Sequence, residues 1–294
     1  MSPTPVLAST REELHRALAR GTESSSPVVL VPTMGALHEG HASLFRLARE
    51  RAGAGSVAAS LFVNPLQFGA GEDLDRYPRT LAADLALCAE EGVDVVFAPS
   101  VEEMYPGGLP SVTVDPGPLG SELEGAFRPG HFAGVLTVVA KLFGLVRPDV
   151  AVFGEKDYQQ LVLVRTMSRE LCLGVEVVGA ETVREPDGLA LSSRNRYLEP
   201  DQRRHAAVLS RALRAAQDRA PYGVPSARWA AMRVLREEPD VDVDYLALRT
   251  PDLGELPEHP VDPVPGRILV AARVGSTRLI DNRPLTIGGA TLPA

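Results

Sequence analysis

Pro27-Val28-Val29-Leu30-Val31-Pro32-Thr33-Met34-Gly35-Ala36-Leu37-His38-Glu39-Gly40-His41 passes from an unbroken apolar run into a turn bearing glycine and histidine. Residues 27–31 have no polar side chain, so they read as a short strand buried on both faces and ended by Pro32. Residues 41–51 then place Leu44, Leu47 and Ala48 on one face of a helix. The alternation continues outward. Apolar runs at 57–63, 93–97, 150–153 and 175–178 are separated by helical patterns at 82–91, 132–146 and 158–171. Upstream, Thr10 and Glu13 have capping-box spacing for a helix at 11–20. Continuously apolar strands alternating with helices predict a parallel sheet covered on both faces, an α/β domain over residues 1–184.

The texture changes after Val183. Helical patterns at 203–219 and 227–237 are followed by Val241, Val243, Tyr245 and Ala247 alternating with Asp242 and Asp244, and by a strand at 267–274. These predict a smaller α+β C-terminal domain with an antiparallel sheet over residues 185–294. Residues 251–265, rich in proline and acidic side chains, read as a surface loop.

Composition narrows the function. The chain has 294 residues, 45% apolar and 23% charged, with a formal net charge of -8. That is enough apolar material for a large core, and the acidic balance argues against a nucleic-acid partner, which needs a basic face. Residues 1–20 have no apolar stretch of signal-peptide type, and no run elsewhere is long enough to span a bilayer. A soluble cytoplasmic protein with no membrane partner is expected. The two cysteines, Cys88 and Cys172, lie in apolar helical stretches without metal-ligand spacing, and both read as small buried hydrophobes.

Four motifs follow apolar runs or a turn. In Met34-Gly35-Ala36-Leu37-His38-Glu39-Gly40-His41, the two histidines are three residues apart, so a helix start puts both on one face. Gly35 and Gly40 permit close backbone approach to a polyphosphate. The spacing is one residue short of the zinc motif H-E-x-x-H. In Phe62-Val63-Asn64-Pro65-Leu66-Gln67-Phe68, Asn64 and Gln67 are neutral amides that can hold hydroxyls and carboxylates, or simply form a turn. Gly154-Glu155-Lys156-Asp157 opens a helix with a mobile cation, and Gln160 lies a turn further on. Taken alone, this block reads equally as an ordinary charged helix start. Leu191-Ser192-Ser193-Arg194, in the loop begun at Asp187-Gly188, offers two hydroxyls and a guanidinium suited to phosphates. Gly53-Ala54-Gly55-Ser56-Val57-Ala58 matches a dinucleotide fingerprint in spelling, but it follows a helix and opens a strand, the reverse of the required context.

Together these blocks, with Arg128-Pro129-Gly130-His131-Phe132, resemble the pantothenate synthetase (pantoate–β-alanine ligase) family, in the family's order from Pro32 to Asn195. The resemblance implies a Rossmann-like parallel-sheet domain of the H-x-G-H nucleotidyltransferase type, with the smaller C-terminal domain as a lid. It implies condensation of pantoate with β-alanine through an acyl-adenylate, with ATP as co-substrate, Mg2+ required, and a homodimer. ATP would meet Met34, Gly35, Ala36, Leu37, His38, Glu39, Gly40 and His41. Further on it would meet Gly154, Glu155, Lys156, Asp157, Val183, Leu191, Ser192, Ser193 and Arg194. His41, His38, Lys156, Ser192, Ser193 and Arg194 would carry the chemistry. Gln67, Gln160, Asn64, Tyr77 and Arg128 would meet pantoate and β-alanine. The metal ligands stay unassigned. Asp84 is a candidate, with a solvated helix-face carboxylate as the alternative.

Three rivals are weaker. A nucleotidyltransferase shares the histidine motif but leaves Gln67, Gln160 and Arg128 without a task. A tRNA synthetase needs a tRNA-binding domain and a less acidic surface. A non-catalytic nucleotide sensor would be expected to lose His41 or Lys156, and both are present.

Overall fold

The computed structural model describes residues 4–21, 26–69, 72 and 74–290. The ends of the two expected domains, 1–3 and 291–294, lie outside the described residues. The chain divides into two compact units, one of residues 1–155 and 160–181, the other of residues 156–159 and 182–294.

The first unit is built on a six-stranded parallel sheet. Its strands are β1 (Val6–Ala8), β2 (Val28–Thr33), β3 (Ser56–Leu61), β4 (Val95–Phe97), β5 (Val150–Gly154) and β6 (Glu176–Ala180), in the order β1-β4-β3-β2-β5-β6. The connecting helices are α1 (Arg11–Gly21), α2 (Glu39–Ala52), α3 (Leu81–Glu90), α4 (Val101–Met104), α5 (Glu124–Phe127), α6 (His131–Val146) and α7 (Tyr158–Glu170). The apolar runs became strands because every residue of β3 and the first four of β2 are buried. Phe45 and Ala48 of α2 pack with Val29, Val31, Val57, Ala59 and Val152 of the sheet. Each fully buried aliphatic side chain of this kind contributes about 1.5–3 kcal/mol.

The capping box forms as the spacing indicates. Glu13 accepts the Ser9 and Thr10 N–H groups, and Thr10 Oγ1 accepts the Glu13 N–H. Gly55 carries no side chain for a local reason: a Cβ there would meet the Pro27 carbonyl oxygen at 2.0 Å.

Several boundaries differ from the sequence reading. β2 continues through Pro32, whose register partner is Ser60 of β3. Pairing with β5 has ended at Leu30, so the missing N–H breaks no ladder on that side. β1 is a three-residue edge strand, too short to register as a pattern. Cys172 follows α7 in a left-handed conformation and is exposed, whereas Cys88 is buried.

The second unit pairs β7 (Val241–Arg249), β8 (Val264–Val274) and β9 (Thr277–Ile287) antiparallel, in that order. The 203–219 stretch is two helices, α8 (Pro200–Ala206) and α9 (Val208–Arg219), with α10 (Val224–Leu235) following. Ala206 to Ser210 are five successive buried residues, a demand that a single helix face cannot meet, and the chain turns at Ala207. Leu209, Leu213, Ala227 and Leu235 pack on Ile268, Val270 and Ile287.

The sequence reading misses β9. Arg278, Asp281, Asn282, Arg283 and Pro284 interrupt its apolar pattern. As an edge strand it tolerates the proline. Buried Asp281 is matched by Arg184 through two hydrogen bonds of 2.7 and 2.8 Å.

Candidate functional site

Strand order decides where a ligand can bind in the first unit. β2 and β5 are neighbours, yet the chain runs from β2 to β3 on one side and from β5 to β6 on the other. Such a switch point leaves a crevice at the carboxyl ends of the two strands. β2 ends at Thr33 and β5 at Gly154, so the turn from Met34 to His41 and the pair Gly154-Glu155 open there together.

His38 is the N-cap of α2. Its Nδ1 accepts the Gly40 N–H at 3.1 Å, and Nδ1 of His41 accepts the His38 N–H at 3.3 Å. A backbone N–H only donates, so each neutral ring carries its proton on Nε2. The ring centroids are 4.2 Å apart. Two Nε2–H donors are thereby fixed beside the amino end of a helix, where anions are favoured.

Asp84 shapes the turn before that helix. It is 4% exposed and accepts the Ala36 N–H at 3.1 Å, the Leu37 N–H at 2.9 Å and the Thr80 hydroxyl at 3.1 Å. The solvated helix-face alternative is therefore wrong, and its oxygens are engaged within the protein. Gly35, at φ +86°, already has Asp84 Oδ2 3.0 Å from where a Cβ would be, and Ala36 is also left-handed. The carboxylate holds this loop closed against α3.

Asn64 and Gln67 form one unit with α6. Asn64 is 1% exposed and caps the 3-10 turn Pro65–Gln67. Its Nδ2 donates to Gln67 Oε1 at 3.2 Å and to the Gly134 carbonyl at 3.1 Å, and its Oδ1 accepts from Leu66 N and the Tyr105 hydroxyl. Its four hydrogen-bonding positions are thus filled inside the protein, so Asn64 supports Gln67 from behind. Gly134 allows the close approach, since a Cβ there would meet the Leu66 carbonyl oxygen at 2.2 Å. Gln67 Nε2 lies 2.9 Å from Met34 Sδ.

Arg128 holds Glu72 through bonds of 3.0 and 2.6 Å, reaches His131 Nε2 at 3.0 Å and donates to the Gln67 carbonyl at 3.3 Å. His131 Nδ1 lies 2.8 Å from the same carbonyl. Tyr77 is buried and meets Phe68 edge-on at 6.1 Å. Gln160, in α7, is half-buried. Residues 34–41, 64, 67, 77, 128, 154, 155 and 160 therefore all belong to the first unit.

The remaining candidates belong to the second unit. Lys156 is held there by its carbonyl, which accepts from Asn282 Nδ2 at 2.9 Å, and its Nζ is 3.7 Å from Asp157 Oδ2. Next in the chain, Tyr158 donates to the Pro251 carbonyl and lies under the Arg267 guanidinium, 3.8 Å from ring centroid to carbon. Val183 accepts from Leu191 N, closing a hairpin whose tip is Gly188 at φ +94°. Asp187 in that hairpin binds Arg203, and this contact holds its carboxyl below the usual range. Ser192 accepts the Arg194 N–H at 3.2 Å and caps the 3-10 turn Ser193–Tyr197, so the hydroxyl and guanidinium side chains rest on a pinned loop.

Sequence reasoning missed the tasks of Asp84, Tyr105 and His131. His131 lies inside a quoted motif and Asp84 at a helix start, whereas no motif marks Tyr105. Among the described residues, no group of three or more His, Cys, Asp or Glu is placed to hold a metal ion.

A model of the family described as pantoate-beta-alanine ligase matches residues 6–284. The chain belongs to the pantoate–β-alanine ligase family. It is 68% identical over 292 residues to a pantothenate synthetase from a Nocardioides species, covering 98% of this chain and 87% of that one. The crystal structure of pantothenate synthetase from Thermus thermophilus has a TM-score of 0.87 at 52% identity, covering 95% and 98% of the two chains. The ligase from Francisella tularensis, solved with β-γ ATP and β-alanine, has a TM-score of 0.78 at 32% identity, covering 95% and 97%. This member of the pantoate–β-alanine ligase family is an enzyme that joins pantoate to β-alanine. No helix among its described residues is long and apolar enough to cross a membrane.

Proposed function

We propose that the chain makes pantothenate in two steps through a pantoyl-adenylate. A carboxylate is a poor acylating agent, so a pantoate carboxylate oxygen attacks the α-phosphorus of ATP and pyrophosphate leaves. The β-alanine amine then attacks the acyl carbon, loses a proton, and AMP departs. Neither step needs a protein nucleophile. Both need orientation and donors aimed at phosphate oxygens where charge builds up.

The observation that carries this reading is the reciprocal His38–His41 cap, which puts the ring protons of both residues on Nε2 at the switch point of a parallel sheet. We assign the phosphates to His38, His41, Lys156, Ser192, Ser193 and Arg194. Met34 to His41, Gly154 to Asp157, Val183 and Leu191 form the surrounding nucleotide contacts. Gln67 and Gln160 meet pantoate and β-alanine, with Tyr77 and Arg128 bordering them. Mg2+ would enter with the triphosphate, because the described residues offer no carboxylate cage, and no step above is routed through it. A cytoplasmic homodimer is the form in which we expect the enzyme to act.

Product analysis tests the reading. AMP release should require both pantoate and β-alanine. ATP with pantoate alone should give pyrophosphate and enzyme-bound adenylate, and 18O in the pantoate carboxylate should appear in AMP. ADP and phosphate as products would overturn it.

A further inference from the structure

The side-chain amide of Gln67 has two ends of opposite chemistry. Oε1 repels a carboxylate and Nε2 donates to one. Which end faces Met34 is set from behind. Leu66 N–H can only donate and the Gly134 carbonyl can only accept. Asn64 therefore turns Oδ1 to Leu66 at 3.3 Å and Nδ2 to Gly134 at 3.1 Å. The second Nδ2 hydrogen goes to Gln67 Oε1 at 3.2 Å, which leaves Gln67 Nε2 directed at Met34 Sδ. Asn64 Oδ1 has one lone pair left, and the Tyr105 hydroxyl fills it at 2.8 Å.

Tyr105 lies 41 residues further along, is 3% exposed, meets Phe62 edge-on at 5.9 Å and lies under Lys141 Nζ, 5.2 Å from its ring centroid. Burial pushes its hydroxyl up to about 12, so it remains a donor across the working range of the enzyme.

We propose that Tyr105 is a positioning residue for the ligase reaction, acting through Asn64 to keep the Nε2 donors of Gln67 turned towards Met34. The proposal rests on the reading of Gln67 as a residue that meets pantoate and β-alanine. Without the hydroxyl, Asn64 Oδ1 keeps only the Leu66 donor in a place closed to water, and the amide is held less tightly against Gln67. The Nδ2 hydrogen bond that holds Gln67 Oε1 then loosens. Gln67 can then turn its carbonyl oxygen, an acceptor, towards a substrate carboxylate that needs a donor.

The experiment is a double-mutant cycle of Tyr105→Phe and Gln67→Ala, read by calorimetric titration of pantoate and separately of ATP. Tyr105→Phe should weaken pantoate binding about tenfold, the order expected for one buried hydrogen bond, while leaving ATP binding within about twofold. In the Gln67→Ala background the same change should add less than about twofold, because the relay ends at Gln67. An equal loss in both backgrounds, or no loss in either, overturns the role of Tyr105 while leaving Gln67 in place. Unchanged pantoate binding in Gln67→Ala alone overturns the reading of Gln67 and the relay with it.

Two further measurements cover a Tyr105→Phe protein that accumulates poorly. Asn64→Asp keeps acceptors for Leu66 and Tyr105 but removes the donors to Gln67 and to the Gly134 carbonyl. It should weaken pantoate binding at least as much. With 15N-glutamine labelling, the Gln67 side-chain signals should move in Tyr105→Phe while those of Gln160 stay, and unmoved Gln67 signals overturn the proposal.

Discussion

Nδ1 of His41 accepts the backbone N–H of His38, so this nitrogen of the ring is bound into the helix cap and the ring's proton sits on Nε2. The two nitrogens can be separated by substitution. Asparagine places an oxygen close to where Nδ1 lies, and glutamine places an N–H2 group close to Nε2.

His41→Asn should therefore keep the cap and melt near the parent, yet slow adenylation about 10²–10⁴-fold through loss of the donor. His41→Ala loses both functions and should also cost about 1 kcal/mol of stability. Single-turnover pyrophosphate release and thermal melts of the two variants check this. Normal adenylation by His41→Asn would show that Nε2 is not the donor.

Asp84 gives the second prediction. Asp84→Ala leaves two backbone N–H groups and the Thr80 hydroxyl without their acceptor, a loss of about 2–4 kcal/mol for bonds to a charged group. The apparent Michaelis constant for ATP should rise, since the turn before His38 loosens. The half-saturating Mg2+ concentration of Asp84→Asn should stay at the parent value, because the carboxylate is occupied by backbone. A large rise in that concentration would make Asp84 a metal ligand after all.

These two cases show what was legible in the sequence. The central strands and the turn after β2 could be read because continuous burial leaves a continuous apolar run and a buried turn needs glycine. The identity of His38 and His41 as a pair followed from their spacing. Their reciprocal cap did not, because imidazole as an N-cap acceptor has no compositional signature. Asp84 and Tyr105 act across 48 and 41 residues of chain, on Ala36 and Asn64, and such contacts leave no local pattern. β9 was hidden by its own charges, of which Asp281 is matched once Arg184 folds against it and Arg278 once Asp244 does. Cys172 misled for the opposite reason: its neighbours are apolar, but α7 has ended and the left-handed turn exposes it.

That difference between the cysteines is measurable. Cys172 should react with a thiol reagent in the native protein at the rate of an exposed thiol. Cys88 should react only after denaturation, because burial, and secondarily Asp84, push its thiol up to about 12. Its folded pKa lies above the unfolded value, so its contribution is intact below about pH 9 and is lost as pH rises from 9 towards 12. Cys88→Ala should flatten the alkaline loss of stability over that window, and Cys172→Ala should not.

Gln67 and Lys156 provide the last test, because the same reading gives them different partners. Gln67 is neutral, and its side chain is bound by Asn64 and directed at Met34. It can orient hydroxyl and carboxylate groups without a net charge to drive phosphate binding. Lys156 is a compact cation whose backbone is fixed by Asn282 while its side chain stays only partly exposed. A cation of this kind favours the state in which charge builds up on phosphate oxygens. Gln67→Ala should thus raise the apparent Michaelis constants for pantoate and β-alanine while ATP affinity remains within about twofold, consistent with the loss of neutral hydrogen bonds alone. Lys156→Ala should slow adenylation by about 10²–10³-fold, as expected for loss of one preorganised electrostatic group, with pantoate affinity little changed. Titration of ATP and of pantoate into each variant, beside a pyrophosphate-release assay, decides between the assignments. If Gln67→Ala abolishes ATP binding, or Lys156→Ala leaves adenylation at the parent rate, the two residues have been given each other's partners.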